Sequence, residues 1–323
     1  MKTKIFLVVV LCLLIAGLLY YSVYHHPVKE KLIVATTTSL YDTGLLDVVE
    51  EAFEKKFSQY DISFISAGTG IALQYASRGD ADVVLVHAPK LEKKFLEDGY
   101  GVNRRIIAYN FFVLVGPQSD PAKISGLNVE EALRKIVEAG RSGKAFWVSR
   151  GDNSGTHVKE KTLWVSAGFN PEKLREEPWF LESGAGMGKT LLLANEKDAY
   201  TLTDIGTYLK YSKGGLIKLK ILVGEDEKLI NVYSVIAVNP EKVKNVNFKA
   251  AMKFVNFLIS DEGQNLIGNF GVKEYGKPLF NPAVKLLKEG RETPIVEWIK
   301  GYGFIEGEEC PAKYTLFPKT NGL

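Results

Sequence analysis

The chain has 323 residues, is 46% hydrophobic and 24% charged, and carries a formal net charge of +3. That length is more than one hydrophobic core accommodates and points to about two domains, and the ordinary composition describes a folded body without repeats or low-complexity segments. Near-balanced charge excludes a broad nucleic-acid face, and two cysteines and four histidines without paired-Cys or His-Glu-x-x-His spacing give no basis for a resident metal or cofactor.

The chain opens with Lys2 and Lys4 ahead of an uncharged run from Ile5 to Tyr24. A run of about 20 residues is long enough to span a bilayer, so residues 1–26 read as an export signal or membrane anchor, with the lysines held inside. The scarcity of small residues after the run favours an uncleaved anchor, and Leu11 before Cys12 argues against a lipid-modified cysteine. Without Lys2 and Lys4, the 41 basic residues fall to 39 against 38 acidic ones, so the exported body is nearly neutral and any anion preference is built locally. Only Cys310 remains in that body, which leaves no intramolecular disulfide.

After a linker at 27–31, residues 31–35 read as a buried strand running into Thr36-Thr37-Thr38-Ser39. A helix follows, with Leu45, Val48, Val49, Ala52 and Phe53 on one face and Asp42 or Ser39 as candidate caps. Hydroxyls at the carboxyl end of a strand lie where open α/β sheets bind ligands, although Thr also favours strands and Ser favours caps. The pattern repeats with a strand at 61–65, a small turn Ser66-Ala-Gly-Thr-Gly70 that offers Thr69 at a second helix start, and a helix over 71–77. A third strand at 82–87 ends in His87, read as a packed residue outside the site, and a charged helix covers 90–97. Alternating strand and helix indicates a largely parallel sheet covered on both faces.

A strand at 111–117 ends at a proline, which places a lobe boundary there, and a helix from Asn128 buries Val129, Ala132, Leu133, Ile136 and Val137. Then comes the most informative stretch: the apolar residues 145–148, the loop Ser149-Arg-Gly-Asp-Asn-Ser-Gly-Thr-His157, and a helical pattern with Leu163, Trp164 and Ala167. The free N–H groups of a helix's first turn and its positive dipole end make an anion cradle. Arg150 adds a full charge in planar fork geometry, while Ser154, Gly155 and Thr156 supply hydroxyls and bare amides, so the loop reads as the capture site for a small oxyanion. Such residues are also ordinary turn and cap material.

Ser183-Gly-Ala-Gly-Met-Gly-Lys-Thr190 looks like a nucleotide phosphate loop, but Ser183 stands where the first glycine belongs. The preceding residues 176–183 make a poor parallel strand, so the stretch reads as the start of a helix over 187–195, with Trp164, Trp179 and Phe180 in the core. A strand at 199–204 meets a helix at 206–211, and the apolar run 230–238 returns to the first lobe, completed by helices near 248–258, 261–270 and 294–300. Two crossings make a hinged clamshell, with Thr37, Thr38, Ser39 and Thr69 on one lip and Arg150 to Thr156 on the other. Lobe 1 is 32–116 plus 235–323, and lobe 2 is 117–234.

Ala35-Thr-Thr-Thr-Ser39, the 149–157 loop with Lys159-Glu160, and Tyr200-Thr-Leu-Thr-Asp204 together resemble the tungstate-binding proteins of tungstate ABC transporters, the TupA type. The resemblance covers nearly all of the exported body. It implies a type II periplasmic-binding-protein fold, each lobe a mostly parallel sheet flanked by helices. It also implies capture of tungstate or molybdate between the lobes, and delivery to an ABC permease with its ATPase. In that family the Arg and Thr matching Arg150 and Thr156 contact the oxyanion, as do hydroxyls and amides of the segment matching Thr37 to Ser39. This chain departs from the pattern in lacking a lipid-attachment cysteine.

Tungstate at neutral pH carries no proton and only accepts hydrogen bonds, whereas phosphate favours a pocket that also offers a buried acceptor. The orientation of Asp152 therefore separates the two: paired with Arg150 or capping the helix, it favours tungstate. A phosphate or molybdate receptor is the alternative within the class. A hydrolase using Ser154 and His157, or a nucleotide protein using Lys189, is the alternative outside it. The expectation is an extracytoplasmic, non-enzymatic monomer, secreted or held at the membrane by its N-terminal segment.

Overall fold

The computed structural model describes residues 29–290 and 292–316, with Ile15 ahead of them. The export or anchor segment read at 1–26 lies outside the described residues apart from Ile15, and no helix among the described residues is long and apolar enough to cross a membrane.

The strands, in chain order, are β1 (Glu30–Thr37), β2 (Tyr60–Ala67), β3 (Val83–Val86), β4 (Gly101–Gly116), β5 (Trp147–Ser149), β6 (Phe180–Glu182), β7 (Thr201–Asp204), β8 (Lys220–Val223), β9 (Ile230–Val238) and β10 (Asn281–Pro282). The first sheet runs β10-β4-β9-β3-β1-β2. β1 is parallel to both β2 and β3, because helices Leu45–Lys56 and Thr69–Arg78 carry the chain back between them. β9 lies antiparallel between β3 and β4, and all nine of its residues are buried, as expected of a strand covered on both faces.

β4 belongs to two sheets. Its residues from Gly101 to Phe111 pair with β9, the last register being Phe111 with Ile230; from Phe112 onward it pairs with β7, and from Leu114 with β8. β7 continues the second layer through a parallel bridge from Tyr200 to Trp147 of β5, which pairs in parallel with β6. One core packs Phe53 edge-on against Phe254 at 5.3 Å; the other packs Trp147 edge-on against Trp164 at 5.0 Å, with Trp179 and Phe180 beside them. Helix Val129–Arg141 buries the stripe read from its spacing and is capped by Asn128.

Several expectations are corrected. The sheets are mixed, not mostly parallel, since β4 and β9 meet each other and their neighbours antiparallel. β4 begins ten residues before the strand expected from 111, because Asn103, Arg104 and Arg105 interrupt its apolar pattern. Phe180–Glu182 is a parallel strand in spite of its charged flanks. β8 was not foreseen. Thr38–Asp42 forms a short helix of its own, so Leu45–Lys56 starts at Gly44, with φ +86°, instead of being capped by Asp42 or Ser39. Val48 of that helix is 36% exposed.

The interruption in β4 has a structural use. Arg104 is fully buried, donating through Nε to Glu92 Oε2 at 2.9 Å and through Nη1 and Nη2 to the carbonyls of Glu309 and Gly303. It ties helix Pro89–Glu97 and the chain's C-terminal part to the central strand. Removing one partner of a buried pair strands the other charge, so Glu92→Ala is expected to lose about 3–5 kcal/mol of unfolding free energy. Urea denaturation measures this, and a loss below about 1 kcal/mol would show that Arg104 is satisfied by the carbonyls alone.

Candidate functional site

β5 ends at Ser149, and the chain then turns through Arg150, Gly151 and Asn153 before helix Gly155–Ser166. Gly151 and Asn153 both adopt left-handed backbone, at φ +62° and +55°, which Gly and Asn tolerate best. Ser154 is the cap: its Oγ accepts the His157 N–H at 3.3 Å. Asp152 turns both oxygens to protein donors, Oδ1 to the Ser154 N–H at 3.1 Å and Oδ2 to Arg150 Nη2.

Arg150 is 1% exposed. Besides Asp152, its Nη2 reaches Thr38 Oγ1 at 3.4 Å, while Nε and Nη1 have no partner. The other buried side-chain polar atoms without a partner among the described residues are the hydroxyls of Thr36, Thr69 and Thr156. Buried polar atoms are nearly always paired, so five such atoms on one arginine and three threonines single out these residues as a candidate site.

The topology brings their elements together. Thr36 ends β1, Thr69 opens helix Thr69–Arg78 and Thr156 lies in the first turn of Gly155–Ser166. The two longer helix starts abut: a Cβ on Gly68, the residue before Thr69, would lie 3.4 Å from Ser154 Cα. Gly186, the cap of helix Met187–Glu196, lies against Thr38, where a Cβ would come within 3.8 Å. Two amide-rich helix starts thus abut at Ser154, and a third lies against Thr38, which touches the Arg150 guanidinium. Beside them Thr38, Tyr41, Asp42, Lys189 and Lys210 line a cleft of about 730 Å³.

The residues expected from the sequence divide accordingly. Arg150, Thr69 and Thr156 present free donors, and Thr38 touches Arg150. Thr37, Ser39 and Ser154 are engaged locally: Thr37 caps the Thr38–Asp42 turn, Ser39 lies 3.3 Å from His87 Nε2, and Ser154 caps its helix. Gly155 provides close approach, since a Cβ there would be 2.7 Å from the His87 ring. Thr36 was missed although it stands in the same hydroxyl run.

The motifs outside the loop serve the framework. Tyr200 accepts from the Ala122 N–H and donates to Asp120, Thr201 bonds the Val148 carbonyl, and Asp204 caps helix Ile205–Lys213 with both oxygens on Thr207. Thr190, the last residue of the phosphate-loop lookalike, bonds Ser183 and the carbonyls of Ala185 and Gly186. His157 Nδ1 accepts the Asn153 N–H at 2.9 Å, so Ser154 and His157 are joined through a helix cap and not as base and nucleophile.

Under the loop lies Glu160, fully buried, with Trp147 Nε1, Ser149 Oγ, Trp164 Nε1 and the Arg150 N–H all donating to it. Burial pushes its carboxyl up to about 7 in spite of these donors. Between the ordinary 4.5 and about 7 the folded chain therefore holds a proton that the unfolded chain has released, so this group makes stability fall as pH rises through that window. Glu160→Gln is expected to flatten that part of the stability profile; an unchanged slope in urea titrations between pH 4.5 and 7 would assign it elsewhere.

A family model for the PBP superfamily domain matches residues 23–262. The tungstate-binding protein TupA of Peptoclostridium acidaminophilum is 42% identical over 257 residues, covering 79% of this chain and 86% of that one. Among solved structures, TupA from Desulfovibrio alaskensis is 45% identical over 78% of this chain and 98% of its own, with a TM-score of 0.65. The tungstate ABC transporter protein from Geobacter sulfurreducens is 45% identical over 75% and 99%, with a TM-score of 0.66. The mixed α/β architecture and these likenesses agree on a type II fold, and the chain belongs to the PBP superfamily, among proteins of the TupA kind.

Proposed function

We propose that this chain is the extracytoplasmic substrate-binding protein of an ABC transporter, and that it captures tungstate, or molybdate of the same charge and shape, between lobes 32–116 with 235–323 and 117–234. The observation that carries the reading is the engagement of Asp152. With Oδ1 on the Ser154 amide and Oδ2 on Arg150, each of its oxygens already accepts from the protein, which weakens it as the acceptor that a protonated ligand needs. Facing the site are two guanidinium N–H positions of Arg150 and the hydroxyls of Thr36, Thr69 and Thr156. All of them can donate to a proton-free dianion, and none is a carboxylate kept free for the hydrogen that phosphate brings.

The one guanidinium shares its charge with Asp152 and so offsets less than half of such a charge. The converging helix starts take up the remainder as fixed dipoles, which need no reorganisation when the anion enters. Closure of the lobes buries the anion, and opening returns it to a permease with its ATPase. The N-terminal run would hold the monomeric receptor at the outer face of the membrane.

Titration calorimetry with tungstate, and elemental analysis after exposure to tungstate, molybdate, phosphate and sulfate together, test this directly. Tungstate and molybdate are expected to be retained; retention of phosphate in their place would overturn the argument from Asp152. Arg150→Ala is expected to weaken tungstate binding by about a hundredfold and Thr156→Val by about tenfold, with little change in unliganded melting. Unchanged affinity in both variants would remove the loop from the site.

A further inference from the structure

His87 stands at the end of β3, 4% exposed, with its ring stacked on Tyr233 at 4.8 Å between centroids. Its bonds form a chain whose direction is fixed from the far end. Asn110 Nδ2 donates to the Leu279 carbonyl, which leaves Asn110 Oδ1 to accept from Asn231 Nδ2 at 2.9 Å. Asn231 Nδ2 also reaches Tyr233 Oη at 2.8 Å, so its amide nitrogen is committed. Asn231 Oδ1 therefore faces His87 Nδ1 at 2.8 Å and requires a proton there. His87 Nε2 is left as an acceptor for the Ser39 hydroxyl, which in turn lies 3.3 Å from Thr37 Oγ1.

The same ring meets the opposing side of the site. A Cβ on Gly155 would fall 2.7 Å from it, so the first residue of helix Gly155–Ser166 sits directly on His87. The ring stays neutral, because burial lowers its pKa to about 4, a direction that the nearby Arg150 charge reinforces. It therefore adds no second cation to the pocket.

We propose that His87 is a positioning residue for the oxyanion site: held by Asn231 as the Nδ1–H tautomer, it accepts the Ser39 hydroxyl and so fixes the Thr38–Asp42 turn, while its face seats Gly155 of the opposing helix. This rests on the oxyanion reading above. His87 touches both lips of the site while lining neither with a free donor, and Asn231 supplies its orientation from the strand that returns to the first sheet.

The tautomer of the wild-type chain is measurable without ligand by two-bond ¹H–¹⁵N spectroscopy of its imidazoles. The expected pattern is a protonated Nδ1 and a bare Nε2, whose shift moves when tungstate is added. A protonated Nε2 would overturn the proposal whether or not tungstate binds. In the full chain, His87→Phe keeps an aromatic ring beside Tyr233 and loses the acceptor, and is expected to weaken tungstate binding about tenfold. His87→Gln, whose amide again offers one donor and one acceptor, is expected to recover most of that loss. Wild-type affinity in His87→Phe would sink the role of His87 and leave the tungstate reading standing. Failure of the wild-type chain itself to bind tungstate or molybdate would instead end that reading.

Discussion

A guanidinium shut away from water keeps its charge, so whatever surrounds Arg150 has to answer it. Within the chain the answer is partial: Asp152 takes Nη2, Thr38 lies at the edge of reach, and Nε and Nη1 go unmatched. Each buried, unsatisfied polar group costs about 1–3 kcal/mol. The hydroxyls of Thr36, Thr69 and Thr156 bear the same penalty beside it. A fold tolerates such a concentration only where surrounding structure holds it in place, and here the holding is done from beneath by Glu160, the indoles of Trp147 and Trp164, and the cap at Ser154.

The sorting of charge follows from that constraint. Four carboxylates around the loop are turned to protein donors: Asp152 to Arg150 and Ser154, Glu160 to two indoles and Ser149, Asp204 to Thr207, and Glu182 to Arg175, while Asp42 lines the cleft beside Thr38. The groups left without partners, Arg150 Nε and Nη1 and the hydroxyls of Thr36, Thr69 and Thr156, can all donate, and a ligand that only accepts suits them. Size discrimination would then come from how closely the helix starts approach, and Gly155 stands at one point of contact: a Cβ there would press on the His87 ring, while one on Gly68 would only touch Ser154.

The strand–turn–helix units were legible because their signals are local. Apolar runs of four to nine residues with hydroxyl or glycine turns placed β1, β2, β3, β7 and β9, and the stripe from Val129 to Val137 placed its helix. What was hidden depended on distant partners. The early half of β4 carries Asn103, Arg104 and Arg105, which look like a loop until Glu92 and Glu309 are seen to meet the arginines. Glu160 appeared as part of a motif, and its burial under two tryptophans cannot be read from spacing. Within the hydroxyl run, choosing Thr37 and Ser39 over Thr36 required knowing which hydroxyls the turn and His87 would occupy. His87 itself, expected to be packed and hydrogen-bonded, is so, but its partners are 48 and 144 residues away.

The asparagine pair at the crossing connects strand register to the site. Asn110 and Asn231 are directly opposed, one residue before β4 leaves β9 for the second sheet. The β4–β9 register already shifts between Val102 and Arg105 and again between Ile106 and Ala108, so the pairing near the crossing is not set by regular alternation alone. A slip of one residue turns every side chain to the other face. It would leave Asn231 without Asn110 and Tyr233, and buried amides are costly to leave unpaired. The pair thus favours the observed register, and because Asn231 also meets His87 Nδ1, which reaches the Ser39 turn through Nε2, that register and the placement of the turn are linked.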